Sequence, residues 1–190
     1  MRSIIHVADA MAAGLRHCVL ILWAACAAAY AADPTLTAGS RFGFRAVVEG
    51  EAFEATFGRF AVTPSLGAQR RPLGFDVEVD LHAIDSGNAD RDAEMATSAW
   101  FDVARYPSAR FRATRVEAVP AGGYLAHGDL SLKGVTRPVT VAFTWQPGPR
   151  QIEMRGQVEL DRRWFGVGAD DDSSVAAGVT VFFDLTWLAQ

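Results

Sequence analysis

The sequence has 190 residues, enough for one domain with a single core, and it is 50% hydrophobic and 21% charged. These proportions exclude a disordered or low-complexity chain. The formal net charge of −4 offers no basic footprint for DNA or RNA, so nucleic acid is not an expected partner.

The first part of the chain has the layout of an export signal. Arg16 precedes an apolar run over residues 18–29, and Ala29-Tyr30-Ala31 fits a small-x-small cleavage site. The run is short for a membrane span. We therefore predict a signal peptide over residues 1–31 and one exported domain over residues 32–190, with a Gram-negative periplasm as its destination.

Both cysteines, Cys18 and Cys26, fall inside this predicted signal. The mature domain then has no disulfide, no thiol nucleophile and no thiolate metal ligand, so its core alone must hold the fold. Met11 is an alternative start, because residues 11–31 alone form a more compact signal peptide. The sequence does not decide between Met1 and Met11.

Beyond the signal, hydrophobic and polar residues alternate with a period of two, which is typical of half-buried β-strands. In the clearest run, residues 75–83, Phe75, Val77 and Val79 share one face while acidic residues share the other. The other runs cover residues 42–48, 53–57, 109–113, 124–132, 139–145, 152–160 and 179–187. Eight strands are thus expected, and a phase slip at Gly58 indicates a bulge and a bend.

One segment departs from this alternation and is predicted to be helical. Asn88 can cap the start of a short helix, and Asp90 and Asp92 would lie in its first turn, where negative charge is favourable. The segment extends to Trp100, and Pro107 begins the next strand. The helical insertion therefore falls between the third and fourth predicted strands.

An eight-stranded antiparallel sheet within one domain closes naturally into a barrel, which removes its exposed edges. The predicted fold class is therefore all-β: an eight-stranded antiparallel barrel with one short helical insertion. Barrels of this size are either filled by side chains or hold one small ligand. The apolar inward set, rich in phenylalanine, agrees with both alternatives.

Residues suited to catalysis or metal binding are few. His82 and His127 both fall on the polar phases of their strands, and no Gly-x-Ser-x-Gly, His-Glu-x-x-His or phosphate-loop motif occurs. Asp170-Asp171-Asp172 lacks the alternating ligand spacing of a calcium loop, so no metal site is predicted there. We expect no enzyme activity, no catalytic residue and no enzymatic cofactor.

Four sequence segments together resemble a known family. They are Ser-Gly-Asn-Ala-Asp-Arg-Asp at residues 86–92, Trp-Phe-Asp-Val-Ala-Arg-Tyr-Pro at 100–107, Gly-Asp-Leu-Ser-Leu-Lys-Gly-Val-Thr-Arg-Pro-Val at 128–139 and Asp-Arg-Arg-Trp-Phe-Gly-Val-Gly at 161–168. In this order they resemble the signature of YceI-like periplasmic proteins, and the resemblance extends over residues 40–188.

The resemblance implies a lipocalin-like barrel that holds a long amphiphile, typically a polyisoprenoid or an isoprenoid quinone, in its apolar interior. The pair Trp100-Phe101 is similar to the subset associated with cytochrome b561-type membrane domains, which implies a membrane cytochrome as a partner. One departure is Glu94, which stands where the family often has a histidine. This departure weakens the case for a basic residue meeting an anionic head group there.

The predicted ligand site combines an apolar tube for the tail with a few donors near its mouth for the head group. Arginine can donate two hydrogen bonds to a diphosphate or a quinone oxygen, and Arg91 and Arg163 are the head-group candidates. The alternative for Arg91 is a structural ion pair with a neighbouring aspartate. The predicted tail contacts, chosen from strand phase, are Phe42, Phe44, Phe75, Val77, Phe101, Phe111, Leu132, Phe143 and Phe165.

The sequence therefore predicts a periplasmic binding or carrier protein for an amphiphilic lipid. The alternative from another class is a structural or interaction barrel without a ligand of its own, acting as the partner of a membrane cytochrome. A lipid hydrolase is a third hypothesis, and it requires His82 or His127 to face the interior. The sequence specifies neither the lipid nor the oligomeric state.

Overall fold

Antiparallel β-strands make up most of the described part of the chain, which comprises residues 35–120, 122–168 and 175–188 of a computed structural model. The predicted signal peptide over residues 1–31 and the acidic run Asp170–Asp172 lie outside these residues. Within the described part, no helix is both long enough and apolar enough to cross a membrane.

The described residues form eleven strands and one α-helix, so the all-β class is confirmed and the predicted count of eight strands is wrong. The strands are β1 (Thr35–Leu36), β2 (Arg41–Val48), β3 (Glu51–Phe57), β4 (Phe60–Leu66), β5 (Pro72–Asp80), β6 (Ile84–Asp85), β7 (Ser108–Ala118), β8 (Tyr124–Leu132), β9 (Val135–Pro147), β10 (Gln151–Asp161) and β11 (Gly178–Leu188). The helix is α1 (Ala89–Ala96). It lies between β6 and β7, which is the predicted place between residues 75–83 and 109–113 under different strand numbers.

The strand β4 accounts for the largest part of the miscount. Pro64 in its middle cannot donate to a β-ladder, so the segment does not read as a strand. In the structure β4 is an edge strand that pairs only with β5 among the described strands, and an edge tolerates proline. The phase slip at Gly58 marks the end of β3 and the start of β4 instead of a bulge within one strand.

The short helix begins where the sequence predicts. The Asn88 side chain accepts a hydrogen bond from the backbone N–H of Arg91 at 3.0 Å, which satisfies one of the free donors of the first turn. Asp90 and Asp92 lie in that turn. The helix ends at Ala96, and the chain reaches Trp100 through turns.

The sheet is strongly curled, with all of its neighbouring strands antiparallel. Its order is β4-β5-β7-β8-β9-β10-β11-β2-β3-β6, with β1 added beside β11. The sheet curls so far that its first strand, β4, comes close to β11 and β2. Trp187 on β11 donates its indole N–H to the Val62 carbonyl on β4 at 3.1 Å. The rings of Phe42 on β2 and Phe60 on β4 meet edge to face, with centroids 5.6 Å apart.

Among the described residues, no β-ladder links β4 to β3 or β6. Side-chain contacts therefore join the two ends of the sheet, and the prediction that a continuous barrel removes the edges is corrected in this respect. The chain bends at Gly58 and Arg59, directly between β3 and β4, and these two consecutive strands do not pair with each other.

Tryptophan side chains fill one end of the interior. The rings of Trp145 and Trp187 lie 5.7 Å apart, and Trp145 donates its indole N–H to the Arg70 carbonyl at 3.0 Å. Ile152 and Met154 are buried beside them. This closed end confines any open interior space to the part of the molecule nearer α1.

Candidate functional site

A cavity of about 460 Å³ occupies the interior between the closed end and α1. Its volume lies in the range of sites that hold small-molecule ligands, about 300–1,000 Å³. The strands β2, β5, β7, β8, β9, β10 and β11 all contribute inward-facing side chains to it. A filled barrel would not leave this space, so the described structure agrees with the ligand-holding alternative.

Phenylalanine rings and aliphatic side chains form the wall of the cavity. The ring of Phe42 contacts those of Phe57 and Phe183, with centroids 5.7 and 6.1 Å away. On β5, Phe75 and Val77 line the cavity while the intervening Asp76 is exposed. The alternation predicted for this strand is therefore confirmed, and it places an apolar surface along the length of the cavity.

The structure places eight of the nine predicted tail contacts in the cavity wall: Phe42, Phe44, Phe75, Val77, Phe101, Phe111, Leu132 and Phe165. Phe143 lies elsewhere, buried between Phe75 and Tyr124, with ring centroids 5.3 and 5.5 Å away. It follows Val141 towards the closed end, where packed side chains leave no open space. That these residues contact a lipid stays a prediction.

The helix α1 and the turn after it supply most of the polar groups near the cavity. Arg91 lines the cavity, and it donates from Nε to the Ser86 hydroxyl and from Nη2 to the Ser86 carbonyl, both at 2.9 Å. Its guanidinium lies 4.3 Å from the centroid of the Phe53 ring. In the described part of the chain Arg91 forms no ion pair. The neighbouring Asp92 accepts a hydrogen bond from the Ser86 backbone N–H at 3.0 Å instead.

The second predicted head-group residue, Arg163, lies outside the cavity. Its side chain is 57% exposed and donates to Asp161 at 2.6 Å. The neighbouring Arg162 lines the cavity in its place and is only 7% exposed. The alternation along β10 explains why Arg162 and not Arg163 faces the cavity. Val158 and Leu160 line the cavity, and Arg162 follows Leu160 by two residues on the same face.

Backbone carbonyl groups surround the buried guanidinium of Arg162. Its Nε donates to Ala176 at 3.1 Å, its Nη2 to Val175 at 2.8 Å, and its Nη1 to Val167 at 2.8 Å and to Gly168. No carboxylate of the described residues forms an ion pair with it. The carbonyl dipoles therefore replace water around this charge, and Arg162 connects the chain at residues 167–168 to that at residues 175–176.

Comparison with known proteins decides the family. The profile of the YceI-like domain matches residues 30–187. The chain belongs to the YceI-like family. The resemblance seen in the sequence is thereby confirmed, whereas membership of the cytochrome b561-associated subset stays a prediction.

Curated relatives of this YceI-like protein carry the name UPF0312 protein. One from Vibrio cholerae is 31% identical over 169 residues, which cover 83% of this chain and 87% of the relative. Those from Shewanella denitrificans and Azotobacter vinelandii are 32% and 35% identical over 103 and 108 residues. The chain spans about half the length of these last two relatives, 53% and 56%.

Solved structures share the fold of the YceI-like chain. BcnA of Burkholderia cenocepacia is similar with a TM-score of 0.72 and 24% identity, over 77% of this chain and 95% of that one. A polyisoprenoid-binding domain from Saccharophagus degradans is similar with a TM-score of 0.62 and 14% identity, over 82% and 98% of the two chains. These identities support a common fold and, by themselves, nothing further.

Neither His82 nor His127 lies in the cavity wall of the YceI-like chain. His82 lies 3.3 Å from the Asp80 carboxylate, with its side chain 54% exposed. His127 shares a hydrogen bond with the Thr140 hydroxyl at 3.1 Å, and its Nε2 lies 3.4 Å from Glu117. Within the described residues, no group of three or more His, Cys, Asp or Glu residues could hold a metal ion. The lipid-hydrolase hypothesis requires His82 or His127 to face the interior, and the structure places neither of them there.

The ion pair between Arg163 and Asp161 is expected to stabilise the fold in a pH-dependent way. Hydrogen bonds from the Arg163 side chain, and further from its backbone N–H, hold the pKa of the Asp161 carboxyl below its usual value although desolvation raises it. Because the folded-state pKa lies below the unfolded one, the contribution is fully present above the unfolded value of about 4 and is lost as the pH falls below it through the lower folded-state pKa. We expect Asp161→Asn to lower the melting temperature at pH 7 and to differ less from the wild type at pH 3.

Thermal melts between pH 7 and pH 3 provide the measurement. Asp129→Asn is the control, because Asp129 is exposed and forms no ion pair with any described residue. A difference between wild type and Asp161→Asn that does not change with pH would contradict the assignment.

Proposed function

We propose that this YceI-like protein is a periplasmic carrier that binds a long amphiphilic lipid, a polyisoprenoid or an isoprenoid quinone, in its interior. The observation that carries the proposal is the apolar cavity of about 460 Å³, closed at the Trp145 end and bordered by polar groups at the α1 end. The similar fold of a polyisoprenoid-binding domain supports it.

The affinity is expected to come mainly from the tail. Each methylene transferred from water to an apolar interior contributes about 0.8 kcal/mol, so several isoprene units supply a large driving force without any polar contact. The head group remains near Arg91 and Trp100, where the polar groups of the wall are found. A tail in the apolar wall and a head at the polar end define one orientation for the ligand.

The proposal describes a binding protein and not an enzyme, with a lipid as its main partner. Export to the periplasm rests on the signal features of residues 1–31. A membrane cytochrome of the b561 type is a further proposed partner, and Trp100-Phe101 is the feature that supports it. The alternative of a ligand-free interaction barrel requires a filled interior, which the cavity does not favour.

Native mass spectrometry of protein purified from the periplasm tests the proposal. We expect the protein to retain a lipid whose extract contains a polyprenyl chain. A ligand-free protein that also fails to take up added quinones and polyprenols would overturn the proposed function.

A matched pair of variants separates binding in the cavity from surface binding. Ala109 lines the cavity, whereas Ala142 is exposed on the outer face of β9. We expect Ala109→Phe to reduce the amount of retained lipid, because the added ring occupies cavity volume, and Ala142→Phe to retain it. Equal retention in both variants would place the lipid outside the cavity.

A further inference from the structure

Four charged residues are among those that line the cavity: Arg91, Glu94, Arg110 and Arg162. The Arg110 side chain is 67% exposed and paired with Glu78 at 2.9 Å, whereas the other three form no ion pair with a described residue. The polar end of the cavity therefore contains one carboxylate together with guanidinium groups, and none of these guanidinium groups forms an ion pair with that carboxylate.

The position of the Glu94 carboxylate is fixed by a neighbouring tryptophan. Its Oε1 accepts a hydrogen bond from the indole N–H of Trp100 at 3.0 Å. Trp100 also lines the cavity, and its ring lies 5.2 Å from the guanidinium carbon of Arg162. The carboxylate is thus held beside the cavity by a group that itself belongs to the wall, although Glu94 is exposed to solvent.

The donors of the two arginines are partly occupied by the protein. A guanidinium has five N–H donors; Arg162 uses four of them on the described backbone carbonyls, and Arg91 uses two on Ser86. A quinone carbonyl or a prenol hydroxyl needs only one or two of the donors that remain. A diphosphate presents many more acceptor oxygens and two or more negative charges to the same place.

We propose that Glu94 is a specificity-determining residue whose carboxylate shifts the preference of this cavity away from polyprenyl phosphates and towards lipids with a neutral head group. The inference rests on the proposed function and specifies the head-group class. A neutral oxygen accepts from the free N–H groups of Arg91 and lies near the ring of Trp100. A phosphate at that position is repelled by the Glu94 carboxylate, and the repulsion is weakened by salt because Glu94 is exposed.

Two probes with the same tail, farnesol and farnesyl diphosphate, test the inference. Their dissociation constants are measured on delipidated protein by isothermal titration calorimetry, for the wild type and for Glu94→Gln. The amide oxygen of glutamine still accepts from Trp100, so this variant removes the charge and keeps the hydrogen bond. We expect the ratio of the two constants to shift by about fivefold towards the diphosphate in Glu94→Gln.

Salt and a control variant distinguish a charge effect from a structural one. In 1 M NaCl the Debye length falls to about 3 Å, so the difference between wild type and Glu94→Gln should nearly vanish. Asp129→Asn removes a carboxylate that is exposed and is not in the cavity wall, and it should leave the ratio unchanged.

The outcomes separate the two proposals. A ratio that is the same in Glu94→Gln, or that shifts towards farnesol, overturns the role of Glu94 and leaves lipid binding intact. If neither probe binds to the wild type and the purified protein carries no lipid, both the proposed function and the inference built on it are overturned.

Discussion

Val77→Asp is expected to give a folded protein that has lost its lipid. Val77 lies in the cavity wall, and an unpaired carboxylate in a filled core would cost several kcal/mol. In an open cavity, water solvates the carboxylate and a raised pKa relieves the remaining cost. We therefore expect a loss of about 2–3 kcal/mol, which lowers the melting temperature of a domain of this size by about 4–12 °C. Circular dichroism should remain near native, and native mass spectrometry should detect no retained lipid.

The adjacent residue provides the control. Glu78 lies on the outer face, where it is exposed and paired with Arg110. Surface ion pairs contribute at most about 1 kcal/mol, so Glu78→Ala should retain both fold and lipid. An insoluble Val77→Asp beside a normal Glu78→Ala would show that the interior is filled. Normal lipid retention in Val77→Asp would show that the ligand does not use this part of the wall.

Arg162→Met is expected to produce the largest loss of stability. The substitution keeps an apolar stem of similar length and removes the donors to the carbonyls of Val167, Gly168, Val175 and Ala176. Each buried acceptor left without a partner costs about 1–3 kcal/mol. Allowing for relaxation and for water, we expect a total of about 3–5 kcal/mol and a melting temperature lower by about 6–20 °C.

The neighbouring arginine offers a matched comparison for the same change. Arg163 is exposed and paired with Asp161, so Arg163→Met should lower the melting temperature by no more than about 2–4 °C. The Asp161 carboxylate still accepts from the backbone N–H of residue 163. Similar shifts in both variants would mean that the carbonyl contacts of Arg162 do not stabilise the fold.

Much of the fold follows from strand alternation alone. The face formed by Phe75, Val77 and Val79 was predictable because a strand that is buried on one side needs side chains of one character every second residue. The same rule, continued from Val158 through Leu160, predicts that Arg162 faces inward. The prediction that Arg163 contacts the head group follows from the adjacent Trp164 and not from the strand phase.

Other features depend on contacts between distant parts of the chain, and periodicity does not report them. Pro64 conceals a strand unless its edge position is known. The cavity itself depends on how the sheet closes, for example through the hydrogen bond from Trp187 to the Val62 carbonyl, 125 residues away. An apolar phenylalanine face is compatible with a filled interior or an open one, so the same sequence pattern predicts both.

The position of β11 in the sheet has a consequence for how the protein is made. This strand is the last of the described strands in sequence, and yet it lies between β10 and β2 with its partners on both sides. A chain that emerges with its N-terminus first therefore has two unpaired strand edges until residues 178–188 are available. Such edges invite pairing with other chains, and long-range strand pairing is slow. The chain is therefore expected to be most prone to self-association before residues 178–188 have been synthesised.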